Sequence, residues 1–464
     1  MKRLSTALFL LVSMGAHGAS FAGNPIIPNQ GVNDPHIHVF DGKAYLYATH
    51  DKSADNTTFV MEDWWVWSSD DLVNWTQESV LKPEDTYIGE GFTSAWATDA
   101  AQKNGKYYWY FSEANEQTGV VVGDSPIGPW RDVLGKAMLT SEMTPTHEYD
   151  PGILKDGEDH YIIFGAFNYH IAKLNEDMIS LAETPKLVEV INARGPYTDD
   201  AQGPFAGMKT DDKPFLHSWG DLYYLSWGAF YATSNSPYGP YIYRGELFND
   251  ASFRDGTETP TWPMGYLQGR HGSFFEMNGQ SYFAYCDISQ TGNRYFRDTF
   301  ISYVHYRKDG SIQPLRVDLT GVGEYNADKG KIEAEDYFNS EGFEKIELEG
   351  GGFGVVPTKP SAAITFPNIH GLENKSRLTV EFSSANANSG KIDVLRLDSS
   401  GEVHLLGNLE PQNHGWWAKF LGKASNRATL RLSGLSDIET LIFRSASDES
   451  VTTFTIDSFS FQYD

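Results

Sequence analysis

Short alternating runs of apolar and polar residues cover the first two thirds of the chain, and five of them share one plan. They read DPHIHVFDGKAYLYATH from Asp34, WATDAAQKNGKYYWYFS from Trp96, YDPGILKDGEDHYIIFG from Tyr149, DKPFLHSWGDLYYLSWG from Asp212 and HGSFFEMNGQSYFAYCD from His271. Each has a short apolar strand, a turn with glycine, then a second strand rich in aromatic and β-branched residues, which is the mark of a β-hairpin. The turn glycines Gly42, Gly105, Gly157, Gly220 and Gly279 recur at intervals of 63, 52, 63 and 59 residues. That spacing exceeds the ~40–50 residues per blade of common propeller repeats, but it admits four strands and one long loop. The pattern predicts an all-β chain whose residues 23–328 form a five-bladed β-propeller.

Near Gly330 the text changes. IEAEDYFNSEGFEKIELEGGGFG is followed by short alternating strands such as RLTVEFSSA, KIDVLRLD, ATLRLSG and TFTIDSFSFQY. This predicts a β-sandwich (jelly-roll) over residues 329–464. A chain of 464 residues is too long for one ordinary core, so two folded units are expected.

The first 22 residues read differently again. Lys2 and Arg3, an apolar run over residues 7–14 and the small residues Ser20 and Ala22 before Gly23 predict a signal peptide and an exported, periplasmic or extracellular protein. No apolar run is long enough to span a bilayer. Acidic residues outnumber basic ones by 62 to 36, a net charge of −26 that becomes −28 without Lys2 and Arg3. Such a charge excludes nucleic acid and anionic membrane surfaces as general partners. The one cysteine, Cys286, forms no intramolecular disulfide, and in its aromatic strand it reads as a small buried hydrophobe.

Candidate chemistry lies where the five phrases open. In a propeller the innermost strands line one channel, so equivalent positions on different blades converge at its mouth. Asp34, Asp150, Asp212 and His271 stand at or beside that position, and their separations of 116, 62 and 59 residues follow the blade period. An acid before proline, as in Asp34-Pro35 and Asp150-Pro151, also reads as an ordinary turn residue. Three acids in phase with a repeat weigh against that plainer reading. Long loops at 191–210 and 249–270 precede the fourth and fifth phrases and are the expected shapers of a pocket.

Asn33-Asp34-Pro35-His36, SSDDLVNW from Ser68, WATDA from Trp96, YDPGI from Tyr149, the two turns SPIGPW and SPYGPY, and RHGSFFE from Arg270 together resemble glycoside hydrolase family 43 over nearly all of residues 24–330. The resemblance implies an inverting glycosidase acting on arabinosyl, xylosyl or galactosyl linkages of plant or algal polysaccharide or oligosaccharides. It implies Asp34 as general base and Asp150 as the carboxylate that tunes the acid's pKa. The family's general acid is a glutamate two residues before a proline, and here Asp212 holds that place before Pro214. The shorter side chain leaves Asp211, Glu113, Glu148 and His217 as rival acids, and a non-hydrolytic, sugar-binding propeller as the alternative function. The resemblance also implies substrate contacts from Trp96, His271 and Arg294, with a Ca²⁺ ion near His271 as a further expectation. The second unit resembles carbohydrate-binding module family 6, which implies a structural Ca²⁺ on Glu333, Glu335 and Asp457 and sugar stacking by Trp416 or Trp417.

Overall fold

The computed structural model describes residues 23–463 except 198–205, 255–256, 258–266, 324, 349–350, 383–389, 399, 411–426 and 447–453. The leader at 1–22, Trp416 and Trp417, and parts of the loops at 191–210 and 249–270 lie outside the described residues. Those that are described form β-strands with only three single-turn 3₁₀ segments.

Five antiparallel sheets succeed one another along the chain. Blade I runs Val32–Phe40, Lys43–His50, Trp64–Ser69 and Thr76–Leu81. Blade II opens with Ala95–Lys103, blade III with Gly152–Asp156, blade IV with Pro214–Trp219 and blade V with Gly272–Met277. These five opening strands contact one another in a closed ring, which makes the fold a five-bladed propeller. Blade IV gains a parallel fifth strand, Val190–Ile191, on its outer edge.

Every blade begins with a two-residue hairpin. Phe40 pairs with Lys43, Lys103 with Lys106, Asp156 with Asp159, Trp219 with Leu222 and Met277 with Gln280. In blades I, II and V both turn residues have positive φ, with Asp41, Asn104 or Asn278 ahead of the glycine. That is the doubly left-handed turn whose twist matches that of the flanking strands. In blades III and IV only the glycine is left-handed and it comes first. The phrase read from the sequence is thus one hairpin in two turn types.

The ring closes through the N-terminal segment rather than through a fourth strand of blade V. Ile26 N donates to Thr299 O at 3.0 Å, and Asn24 Nδ2 donates to Ile301 O at 3.0 Å and to Asp318 O at 3.1 Å. Ile301 N donates back to Asn24 Oδ1 at 2.9 Å.

The second unit has two facing sheets. One contains Phe353–Pro357, Ile456–Gln462 and Arg377–Phe382; the other contains Ala363–Ile369, Glu439–Ser445 and Ile392–Leu397. Glu439–Ser445 alternates strictly between buried and half-buried positions, as a strand with one face on a core must. Phe366 and Phe443 of one sheet meet Phe459 of the other, each at 4.8 Å between ring centroids. Burying each such ring contributes about 1.5–3 kcal/mol.

The two units join at a charged node centred on Arg316. Its guanidinium donates to Glu335 Oε1 at 2.8 Å, to Glu333 Oε1 at 3.1 Å and to Asp318. Lys331 Nζ lies 2.6 Å from the same Glu333 oxygen. Of the ligands expected for calcium in the second unit, Glu333 and Glu335 each use Oε1 in these contacts, Glu335 Oε2 is buried without a hydrogen bond, and the half-buried Asp457 lies close enough to Glu333 and Arg316 to feel their charge. Burial and neighbouring carboxylates push Glu335 up to about 8 and Asp336 up to about 7 even with Arg316 in place.

Candidate active site

The acids stand on strained backbone at one end of the ring. Asp34 has φ 47° and Asp150 φ 58°, each immediately before a proline. Blade IV puts Lys213, φ 53°, at the matching place before Pro214. A non-glycine residue in this region costs roughly 1–3 kcal/mol, and such strain collects at functional sites. Asp212 therefore stands one residue ahead of its counterparts on blades I and III, with its side chain 43% exposed while those of Asp34 and Asp150 are buried.

Asp34 is the most tightly held. His271 Nε2 lies 2.5 Å from its Oδ1, and Arg297 donates to the same oxygen at 2.9 Å. Thr49 donates to Oδ2 at 2.6 Å, and the Asp34 amide donates to Cys286 Sγ at 3.1 Å. Burial alone would raise its pKa, but Arg297 and His271 outweigh burial and hold the carboxyl well below the usual carboxylate range. Asp34 is thus an anion at any working pH. Oδ2 accepts only the Thr49 hydroxyl and keeps a lone pair for water.

His271 links the two sides of the mouth. Its Nδ1 is 3.3 Å from Asp212 Oδ1 while Nε2 serves Asp34. With one imidazole between them, these two oxygens are no more than about 8 Å apart, below the ~9.5 Å upper limit for an acid and base that share an attacking water. Gly272 makes this position reachable, because a Cβ there would sit 1.8 Å from Ala284 O in the adjoining strand. Both ring nitrogens of His271 thus face carboxylates.

Asp150 and Asp211 complete the site. Asp150 Oδ2 accepts the Lys213 amide at 3.0 Å, and Lys213 Nζ is buried on Pro151 O at 2.8 Å and Thr98 O at 3.2 Å. Burial and then Asp212 push Asp150 up to about 7. Asp211 Oδ1 accepts the Tyr197 hydroxyl at 2.9 Å and the Asp212 amide at 3.0 Å, and the same two causes push it up to about 7. Two neighbouring carboxyls, Asp150 and Asp211, thus hold protons near neutrality, and Asp212 beside them is the exposed one.

The remaining expected residues divide. Trp96 is half-buried with its ring 6.3 Å from Tyr149, next to Asp150. Arg294 is exposed and lies over Tyr295, 4.8 Å from the ring centroid; the arginine that meets the carboxylates is Arg297, three residues on. Among the rival acids, the half-buried His217 is stacked between Phe274 and Tyr224, bonds to Tyr306 through Nε2 at 2.8 Å and is pushed down to about 3 by loss of solvent around its ring. A histidine so packed donates no proton to a substrate. Glu148 is buried and closes the loop at Thr144, accepting from its amide at 2.6 Å and its hydroxyl at 2.8 Å. Glu113 accepts from Gln117 within its hairpin at 3.0 Å. Thr49, Asp51 and Arg297 escaped the sequence reading because they lie off the repeat position, and Lys213 because a lysine stands there where blades I and III carry an acid. The nearest signal was the acid in ATHDK, since Asp51 binds Arg297 Nε at 3.0 Å and Nη2 at 3.0 Å.

The comparisons agree with this geometry. The model for glycosyl hydrolases family 43 matches residues 22–312. A "Xylosidase/arabinosidase" of Bacteroides ovatus is 28% identical over 337 residues, covering 62% of this chain and 95% of the relative. An "Arabinoxylan arabinofuranohydrolase" of Paenibacillus polymyxa is 24% identical over 477 residues, covering 90% of this chain and 69% of the relative. Among solved structures, a family 43 β-xylosidase/α-arabinofuranosidase from a compost metagenome, in complex with xylotriose and in a calcium-free form, has 26% identity and a TM-score of 0.52, covering 64% of this chain and 98% of its own. A family 43 arabinoxylan arabinofuranohydrolase from Bacillus subtilis, with cellotetraose bound, shares the fold over 95% of this chain and 97% of its own, at 22% identity and a TM-score of 0.50. With its five blades, its ring of acids at one end and a match spanning the propeller, the chain belongs to glycosyl hydrolases family 43 and is a glycosidase that hydrolyses O-glycosyl bonds.

Proposed function

We propose that the enzyme removes arabinosyl, xylosyl or galactosyl units from plant or algal polysaccharide or oligosaccharides, with Asp34 as general base and Asp212 as general acid. The observation that carries this reading is the pairing of Asp34 and Asp212 on the two nitrogens of His271, one buried and permanently ionised, the other exposed among protonated neighbours. Water on the free lone pair of Asp34 Oδ2 attacks the anomeric carbon and loses its proton to that oxygen. The leaving oxygen takes a proton from Asp212 as the C–O bond breaks, and the sugar leaves with inverted configuration. Asp150 and Asp211 act by charge: while they are close to neutral they do not drain the acid, and any negative charge they carry raises its pKa. Asp212 is one methylene shorter than glutamate, and its more exposed position, one residue ahead of the left-handed Lys213, is consistent with a forward placement that offsets the lost reach. Trp96 lies beside this mouth and is assigned to the apolar wall of the sugar subsite.

Aryl α-L-arabinofuranoside, β-D-xyloside and β-D-galactoside form the first test, with Asp34→Asn as control. Release of aryl alcohol from one of them, abolished in a control that still folds, supports the reading and names the sugar. Full activity in Asp34→Asn sinks the assignment of the base. Proton NMR of the first-formed sugar reports inversion directly. The basic, apolar and small-residue order of residues 1–22 supports export before catalysis. A mature N-terminus near Gly23, read by mass spectrometry of the exported protein, is the expected result.

A further inference from the structure

Below the carboxylates the channel holds a second cluster that hydrolysis leaves unused. Just past the bulge that carries Asp34, His36 and His38 stand two positions apart on Val32–Phe40 and so share one side of the strand. His36 is fully buried, and its ring meets that of Phe215 on blade IV edge-on at 5.1 Å. Its Nδ1 lies 2.7 Å from Oδ1 of the buried Asp99 on blade II, yet neither ring nitrogen of His36 makes a hydrogen bond. His38 Nε2 reaches the same oxygen at 2.6 Å, with 20% of its side chain open to solvent. The carboxylate itself is fixed by backbone, since Oδ1 accepts the Ala100 amide at 2.7 Å and Oδ2 accepts the Ile153 amide of blade III at 2.6 Å.

As a set of hydrogen bonds this arrangement is poor. Two imidazoles crowd one oxygen, and the buried one gains no bond from its approach, leaving a polar group whose isolation costs about 1–3 kcal/mol. A shared cation removes both faults. We propose that His36, His38 and Asp99 bind a divalent transition ion, with Zn²⁺ as the best match. Two imidazoles and one carboxylate are zinc donors, whereas Ca²⁺ asks for oxygens alone. Around a tetrahedral ion with bonds of ~2.0–2.1 Å, neighbouring ligand atoms stand about 3.3 Å apart. The present contacts need to open by only about 0.6 Å, a small turn of each ring. The open side of His38 admits a water as fourth ligand. The charge of Lys213 bears on His36 and opposes the ion. Such an ion joins blades I and II directly and blade III through Asp99 Oδ2. It is a structural clamp under Asp34 and enters no step of hydrolysis.

The mature enzyme, stripped with a chelator, is titrated with Zn²⁺ by calorimetry and with Co²⁺ by visible absorption. Two other groups of potential ligands serve as controls: Asp34, His271 and Cys286 in the mouth, and Asp398, Glu402 and His404 on the sandwich. The expected result is one equivalent bound, retained in Cys286→Ser and in His404→Gln. In His38→Gln, affinity falls by more than the ~10–100-fold that loss of an outer-shell partner costs. Bound Co²⁺ shows tetrahedral bands without thiolate charge transfer. If His38→Gln does not fold, Asp99→Asn, which keeps the acceptor for Ile153, replaces it. No binding, undiminished binding in the His38 and Asp99 variants, or a thiolate band overturns the proposal.

Discussion

Replacing Arg316 by methionine tests how the two units are joined. Methionine keeps most of the apolar stem and removes the guanidinium, which leaves Asp318, Glu333, Glu335 and Asp336 around one buried point with Lys331 and Lys345 alone to balance them. Arg316 is 8% exposed, so little solvent screens the loss. Breaking a buried ion pair from one side costs about 3–5 kcal/mol. Spread over a protein of this size, that lowers the melting temperature by roughly 3–5 °C. The same four carboxylates, freed of the arginine, form an oxygen cage of the kind Ca²⁺ takes. Millimolar Ca²⁺ is therefore expected to raise the melting temperature of Arg316→Met, regaining about 2.7 kcal/mol once its concentration reaches a hundred times the Kd. It is expected to leave the wild type unmoved. Differential scanning fluorimetry with and without added Ca²⁺ reads all four conditions. A wild type stabilised by Ca²⁺, or a variant that melts with the wild type, would refute the view that a guanidinium serves as the cation of this node.

Two further outcomes follow from the mouth of the propeller. Asp212→Asn is expected to lose about 10²–10⁴-fold in kcat on alkyl glycosides and far less on aryl glycosides with good leaving groups, because the latter hardly need a proton; equal losses on both would move the acid elsewhere. Asp34 stays ionised through the working range, so the alkaline limb of the pH–rate profile belongs to the coupled carboxyls, with Asp150 and Asp211 each at about 7. Asp211→Asn takes away one of these two ionisations, so the alkaline limb is expected to become less steep; a limb of unchanged shape contradicts the assignment of Asp211.

The repeat carried most of the architecture in plain view, because a two-residue hairpin turn demands left-handed residues and few residue types supply them. Gly42, Gly105, Gly157, Gly220 and Gly279 each stand in such a turn. The acids were legible for a related reason: Asp34 and Asp150 occupy the same strained step before a proline. Asp212 was legible only by offset from Pro214, and that offset has a structural cause, since Lys213 takes the left-handed place and sends its amine under Pro151. Arg297 was missed in favour of Arg294 because residues three apart just before the third strand of blade V look alike in sequence, whereas only Arg297 reaches Asp34 and Asp51. Arg316 was invisible as well. Its partners lie 2–20 residues downstream along a connection between two units, where no period marks which charges will meet.

The seam between Asn24 and blade V carries a consequence in time. Asn24 finds its partners at Ile301, Asp318 and Leu319, nearly three hundred residues later, so this segment remains unpaired until the last blade has been made. Contacts of such long sequence separation slow folding, because loop-closure entropy must be met before they form. Blades emerging from a ribosome can each make their hairpin, but the ring is sealed only by the returning end of the chain. A chain that delays in this way has no carboxylate ring, and so no catalyst, until its last blade is in place.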